Sequence, residues 1–205
     1  MLAAGGRALL DIEGVKQMKA SNVFFDALVS SAKAADLVDV DDLFGFLIGS
    51  WDLEAILHDS TGQTQRSKGE LHAAWVLEGR AIQDLFIFPR RVDRASALPA
   101  RGDRYATTIR TYDRVLKAWR VDFINPAAPE TSAQLTARRR EQGIEMEGKL
   151  AGGVGIRWRY RSITATSFHY SAERLGSDGT HWQLYLELFG SRIGGWLPEI
   201  RPTRD

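Results

Sequence analysis

The chain has 205 residues, 44% apolar and 26% charged, with a formal net charge of +1 and no cysteine. That length suits one domain with a sizeable core, and the near-neutral balance gives no global field to recruit nucleic acid or an acidic membrane surface. The missing cysteines exclude disulfides, thiolate catalysis and cysteine-held metal centres.

The opening "MLAAGGRALLDIEGVKQ" breaks its apolar stretch at Arg7, Asp11 and Glu13, too early for a signal peptide. No run approaches the roughly 20 apolar residues of a spanning helix, so a cytoplasmic protein with no membrane partner is expected. Two helices are predicted next. "SNVFFDALVSSAKAADLV" offers Ser21 or Asn22 as a cap and sets Val23, Phe24, Ala27 and Leu28 at helical spacing; "DVDDLFGFLIG" starts with acids and stops on Gly49. They form a helical leader over residues 1–44, placed either to cap a barrel or to mediate a homodimer.

The hydrophobic period then changes to two. About ten strands are predicted, near 51–58, 68–77, 80–88, 105–113, 118–124, 131–139, 143–149, 155–162, 167–174 and 181–189. Short turns link them, apart from the basic, proline-bracketed segment 89–103. Such a series predicts a mainly-β fold, an up-and-down antiparallel barrel over 45–192, followed by a tail at 193–205. Ten strands enclose more space than side chains alone fill, so a cavity is expected.

Turn lengths assign faces to the strands. Trp51, Leu53, Ala55 and Leu57 point inward, as do Leu71, Ala73, Trp75 and Leu77. Reading "LEGR" as a two-residue turn brings in Arg80, Ile82, Asp84, Phe86 and Phe88. A buried Asp84 must be paired, or neutral with a raised pKa. A four-residue loop after Asp113 sets Thr108, Arg110, Tyr112, Trp119, Val121 and Phe123 on one inward face. With a four-residue "ITAT" loop and the "SDGT" hairpin, Trp158, Tyr160, His169, Ser171, Glu173, Trp182, Leu184, Leu186 and Leu188 also turn inward. The outer face then carries an Arg159–Tyr170–Glu187 row. A one-residue bulge would reverse these faces.

The pieces "LIGSW", "GELHAAWVLEGRAI", "YATTIRTYDRVLKAWRVDFI" and "RYRSITATSFHYSAERLGSDGTHWQL" resemble an uncharacterised family of calycin-like barrels. The Gly-x-Trp of "LIGSW" and the Arg192 of "LFGSR" resemble the wider lipocalin/calycin pattern. That resemblance implies that Trp51 plugs the barrel base and Arg192 stacks over it.

The derived lining is aromatic (Trp75, Phe86, Tyr112, Trp119, Trp158, Trp182) with a few ionisable groups: Asp84, Arg110, His169, Tyr160 and Glu173. An apolar pocket with convergent polar groups suits a small hydrophobic ligand, aromatic or polyketide-like. Asp84 as base or orienting group, His169 as acid/base, Arg110 as anion anchor and Tyr160 as donor lean toward cofactor-independent acid/base catalysis of isomerase, lyase or cyclase type. The competing readings are a carrier or sensor without turnover, and a nitrobindin-like haem protein with His169 as its one inward ligand. The aromatic stripe also serves as plain core packing, and Asp84 as a structural partner of Arg110 or Arg80. No histidine pair has metal-ligand spacing on one predicted face, and no cofactor is expected on the first reading.

Overall fold

The computed structural model describes residues 23–37, 42–94 and 103–194. Strand β1 (Val29–Ser30) precedes ten longer ones: β2 (Gly49–His58), β3 (Thr64–Val76), β4 (Ala81–Phe88), β5 (Arg104–Asp113), β6 (Ala118–Ile124), β7 (Ala133–Arg140), β8 (Gly143–Leu150), β9 (Gly155–Arg161), β10 (Ser167–Leu175) and β11 (Trp182–Ile193). From β2 onward each strand pairs antiparallel with the next, and β11 returns to pair with β2. The result is a closed ten-strand up-and-down barrel with no free edge. β1 extends β3 past the end of β2, setting Val29 opposite Val76.

Strict alternation makes the wall. Along β2, Trp51, Leu53 and Ala55 are buried while Asp52 and Glu54 are exposed; along β5, Ala106, Thr108 and Arg110 are buried. The expected registers of the β3–β4 and β5–β6 hairpins hold, with Ala73 opposite Asp84 and Asp113 opposite Ala118. The "LEGR" turn is wider than expected. Leu77, Glu78 and Gly79 all take positive φ, so Leu77 and Arg80 leave the strands and lie exposed rather than inside. Arg80 pairs there with Glu78 and Asp36.

The leader is mostly not helical. One short helix covers 23–28, and the rest folds as β1 and two 3-10 turns, Ala35–Leu37 and Gly45–Leu47. The β3–β4 turn captures this segment before a helix can extend: Leu77 N donates to Leu28 O at 3.1 Å and Ala34 N to Gly79 O at 3.0 Å. The second expected helix shortens to the tight turn Gly45–Leu47, which carries Phe44 and Leu47 into the barrel end with Leu43 also buried. Asp42 fixes that turn by accepting from Gly45 N at 2.8 Å. The expected caps Ser21 and Asn22 lie outside the described residues.

The turn stoppers one end of the barrel. Phe44 and Trp51 are fully buried, and Trp51 Nε1 donates to Leu47 O at 2.8 Å. The Arg192 guanidinium lies 4.1 Å from the Trp51 ring centre. It donates to Phe46 O at 2.6 Å, Ile48 O at 2.7 Å and Ala165 O at 2.6 Å. Gly49 is required here: its φ is +116°, and a Cβ would lie 2.8 Å from Arg192 Nη1.

Arg192→Gln removes a cation–π contact and a charged three-carbonyl fork, and should lower stability by about 2–4 kcal/mol in urea unfolding. Arg192→Lys keeps the charge but not the planar fork, so an intermediate value is expected.

Candidate functional site

Between the stoppered end and the opposite mouth lies a cavity of about 240 Å³. Its walls come from nearly every strand. Leu71, Phe86, Val121, Phe123, Met146, Trp158, Leu186 and Leu188 supply the apolar surface; Asp84, Thr108, Arg110, Tyr160 and Tyr170 supply the deep polar groups; Arg104, Arg174 and Tyr185 stand toward the mouth.

The deep end is organised by one ion pair. Arg110 Nη1 donates to Asp84 Oδ2 at 2.6 Å, and Thr108 N donates to Asp84 Oδ1 at 3.2 Å. Both side chains are almost wholly buried, at 4% and 1% exposure. The Arg110 guanidinium also lies 5.0 Å from the Phe44 ring centre, so the stopper and the cavity share this residue. Burial alone would weaken the Arg110 cation, but Asp84 beside it holds its pKa above the ordinary value. Arg110 Nε is buried and, among the described residues, has no hydrogen-bond partner.

Three tyrosines complete the polar set. Burial pushes the Tyr160 phenol up to about 12, against the pull of the Arg110 cation. Burial raises Tyr170 further. Tyr185 is also raised by burial, opposed by the hydrogen bond from Trp158 Nε1 at 2.8 Å and by Arg104 and Arg174. All three phenols therefore keep their protons near neutral pH and act as donors.

Of the expected site residues, Asp84, Arg110, Tyr160, Phe86 and Trp158 meet at this cavity. Trp75, Tyr112 and Trp119 do not line it. Tyr112 stacks edge-on with Trp119, and Trp119 with Phe44, so this pair belongs to the stopper. Trp75 pairs with Ser30 at the same end.

His169 and Trp182 are corrected outright, for two local reasons. The β9–β10 loop holds five residues rather than four, with Ser162 at positive φ, which sets Arg161 opposite His169. That single step turns Phe168, Tyr170 and Ala172 inward and puts His169, Ser171 and Glu173 outside. A bulge in β11 then shifts the register between Ala172 and Glu173, so Leu186 and Leu188 face inward as expected. Trp182 and Leu184, before the bulge, stay outside. Trp182 packs there under Arg157, 4.4 Å from its ring centre. Tyr185, the residue gained by the bulge, reaches the cavity, as does Tyr170; the sequence reading placed both outside. Gly190 leaves room for the inward Phe168, whose ring would lie 2.3 Å from a Cβ.

The outer face is a set of charge networks. His169 stacks on Phe189 and contacts Glu187 at 3.1 Å, while His58 contacts the other Glu187 oxygen at 3.0 Å. Glu173 joins Arg157 and Arg159, and Glu145 joins Arg159, in place of the expected Arg159–Tyr170–Glu187 row. Glu70 accepts from Arg91 N, Nε and Nη2 at 2.7–2.9 Å and contacts His72 at 2.9 Å. No group of three or more metal-binding side chains occurs among the described residues.

No protein-family model matches the chain, and no curated protein matches it in sequence. Among solved structures it is similar to Rv2717c from M. tuberculosis, with a TM-score of 0.50 and 17% identity over 76% of this chain and 100% of that one. It is also similar to the S-type phycobiliprotein lyase CPES from Guillardia theta, with a TM-score of 0.49 and 9% identity over 74% and 91% of the two chains. At such identities the likeness concerns the fold alone, an antiparallel β-barrel.

Asp84→Asn leaves the Arg110 charge buried without a counter-ion, and should cost about 3–5 kcal/mol in chemical unfolding. The double change Asp84→Leu with Arg110→Met should restore most of that loss, because it removes both charges together. A second expectation concerns acid. Hydrogen bonds from Arg91 lower the Glu70 pKa from 4.5 to about 2. Since the folded value is depressed, the stabilisation is complete above about pH 4.5 and disappears as pH falls to about 2. The difference in melting temperature between the native chain and Glu70→Gln should shrink over that interval.

Proposed function

We propose that the barrel binds a small, largely hydrophobic molecule with an aromatic or polyketide-like body, without an obligatory cofactor. The observation that carries this reading is the cavity itself, whose apolar walls converge on the Asp84–Arg110 pair and the Tyr160 and Tyr170 phenols. The apolar walls, interrupted by three tyrosines and one ion pair, fit such a guest. A volume of about 240 Å³, below the usual range of ligand sites, favours a compact one.

Binding without turnover is the better-supported form. Asp84 is engaged by Arg110 and by the Thr108 amide, and none of the four histidines lines the cavity. The haem reading loses its intended ligand for the same reason. Cofactor-independent acid/base catalysis of isomerase, lyase or cyclase type is the second reading. Its support is one juxtaposition: the Asp84 carboxylate and the protonated Tyr160 phenol border the same deep end.

The motif resemblance to the uncharacterised calycin-like family belongs to this proposal, as does the division into a leader at 1–44, a barrel at 45–192 and a tail at 193–205. A cytoplasmic setting is proposed from the outer face, where ion pairs such as Glu54–Arg66 stand where a membrane barrel carries an apolar band. Among the described residues no helix is long and apolar enough to cross a membrane.

Native mass spectrometry of freshly purified protein should show a small-molecule adduct, and the same spectra count subunits and so test the homodimer. Leu188→Trp, which fills the cavity, should abolish the adduct while costing about 1–3 kcal/mol of stability. An adduct retained at full occupancy by Leu188→Trp would refute the cavity as its site. If the released molecule is returned unchanged after incubation, the protein is a carrier or sensor. A product that disappears in Asp84→Asn, assayed where circular dichroism shows that variant folded, would establish catalysis.

A further inference from the structure

The deep end of the cavity is electrically closed, because Asp84 and Arg110 neutralise each other. The mouth is not. Among the described residues, the charged ones lining the cavity are Asp84, Arg104, Arg110 and Arg174. Once the deep pair is set aside, two guanidinium groups remain, and no described carboxylate lines the cavity with them. Asp103 lines the adjoining cleft beside Arg104, not this cavity.

These two arginines are placed by the fold rather than scattered. Arg104 begins β5 and shares the inward side with Ala106, Thr108 and Arg110. Arg174 follows Ala172 at the next position on the same side of β10; it is exposed and borders the cavity, and its Nε donates to Gln183 Oε1 at 3.2 Å. Tyr185 reaches in between them only because of the β11 bulge. Its oxygen accepts from Trp158 Nε1 at 2.8 Å, which leaves its own O–H to donate elsewhere. All three side chains line the same cavity, and both guanidinium groups pull the phenol's pKa down against its burial. Two cations and a phenolic O–H make a cluster of donors.

We infer that the occupant is an organic acid, its carboxylate-type group held at the mouth by Arg104, Arg174 and the Tyr185 hydroxyl while its hydrophobic body fills the cavity. This rests on the reading of the barrel as a ligand cavity. Arginine suits the task because its planar fork matches a carboxylate or sulfonate with two parallel hydrogen bonds. A neutral guest of the same shape would leave these donors to water and gain no charge-assisted hydrogen bond from them. The acidic end therefore sets both the orientation and the class of the ligand.

The test uses two fluorescent probes with the same ring system. 8-Anilinonaphthalene-1-sulfonate carries an anionic group; N-phenyl-1-naphthylamine lacks it. Each is titrated into the native chain, the Arg104→Gln/Arg174→Gln variant, and Arg66→Gln, an exposed arginine remote from the lining. In the double variant the anionic probe should weaken by about tenfold or more, and the neutral probe by less than about twofold. Arg66→Gln should change neither. Tyr185→Phe supplies an independent check if the double variant fails to fold, with about a fivefold loss expected for the anionic probe alone. Binding that survives Leu188→Trp is surface binding and counts as none. If both probes bind in the cavity but the anionic one is indifferent to these changes, or is weakened equally by Arg66→Gln, the inference is overturned and the cavity reading stands. If neither probe enters the cavity of the native chain, both fall together.

Discussion

The Arg192 guanidinium, spread over Trp51 and donating to three carbonyls, is the contact on which the vessel depends. A ten-strand wall is too wide for its own side chains to fill, so an open tube would wet throughout. Arg192 joins the last strand to the segment before the first one, through Phe46 and Ile48, and to the β9–β10 loop through Ala165. It thereby holds the tight turn carrying Phe44 and Leu47 inside one end. The barrel becomes blind, and everything beyond the stopper is removed from water on that side.

That closure explains the chemistry it encloses. Arg110 rests against Phe44 on one side and Asp84 on another. In such surroundings an isolated charge would be prohibitive, and a matched pair with an added backbone donor is tolerable. The pair adds little net stability over an apolar replacement, but it fixes a polar direction in an otherwise oily space. Tyr160 touches both the stopper and the cavity, through its edge-on contacts with Phe44 and Phe46. The protonated Tyr160 and Tyr170 phenols therefore offer donors at fixed places. A site made of donors on rigid strands discriminates by the positions of acceptors on the guest, a selectivity that area alone does not supply.

Most of the wall was legible in the chain. All ten barrel strands were predicted within a few residues of their ends, because half-burial imposes a period of two that few other arrangements mimic. Asp84, Arg110, Tyr160, Phe86 and Trp158 were placed correctly by short-range turn logic. The errors share one physical origin, the carrying of register across a loop. Ser162 adds one left-handed residue to the β9–β10 connection, and the β11 bulge adds another, neither signalled by a glycine or proline. The local signal was present and better. In "FHYSAE", Phe168, Tyr170 and Ala172 alternate with His169, Ser171 and Glu173, which by itself sends the histidine outward. The leader misled for a different reason: its helical spacing was real over 23–28, but hydrogen bonds to the β3–β4 turn overrode it.

The bulge at Tyr185 has a consequence for how such a barrel diversifies. Losing that one residue would straighten β11 without rotating it, because Leu184 already stands opposite Glu173 and Leu186 opposite Ala172. Trp182 and Leu184 would keep their outer positions, and only the phenol would leave the mouth. An inserted residue thus adds or withdraws one inward group at the rim while both flanks of the strand keep their faces.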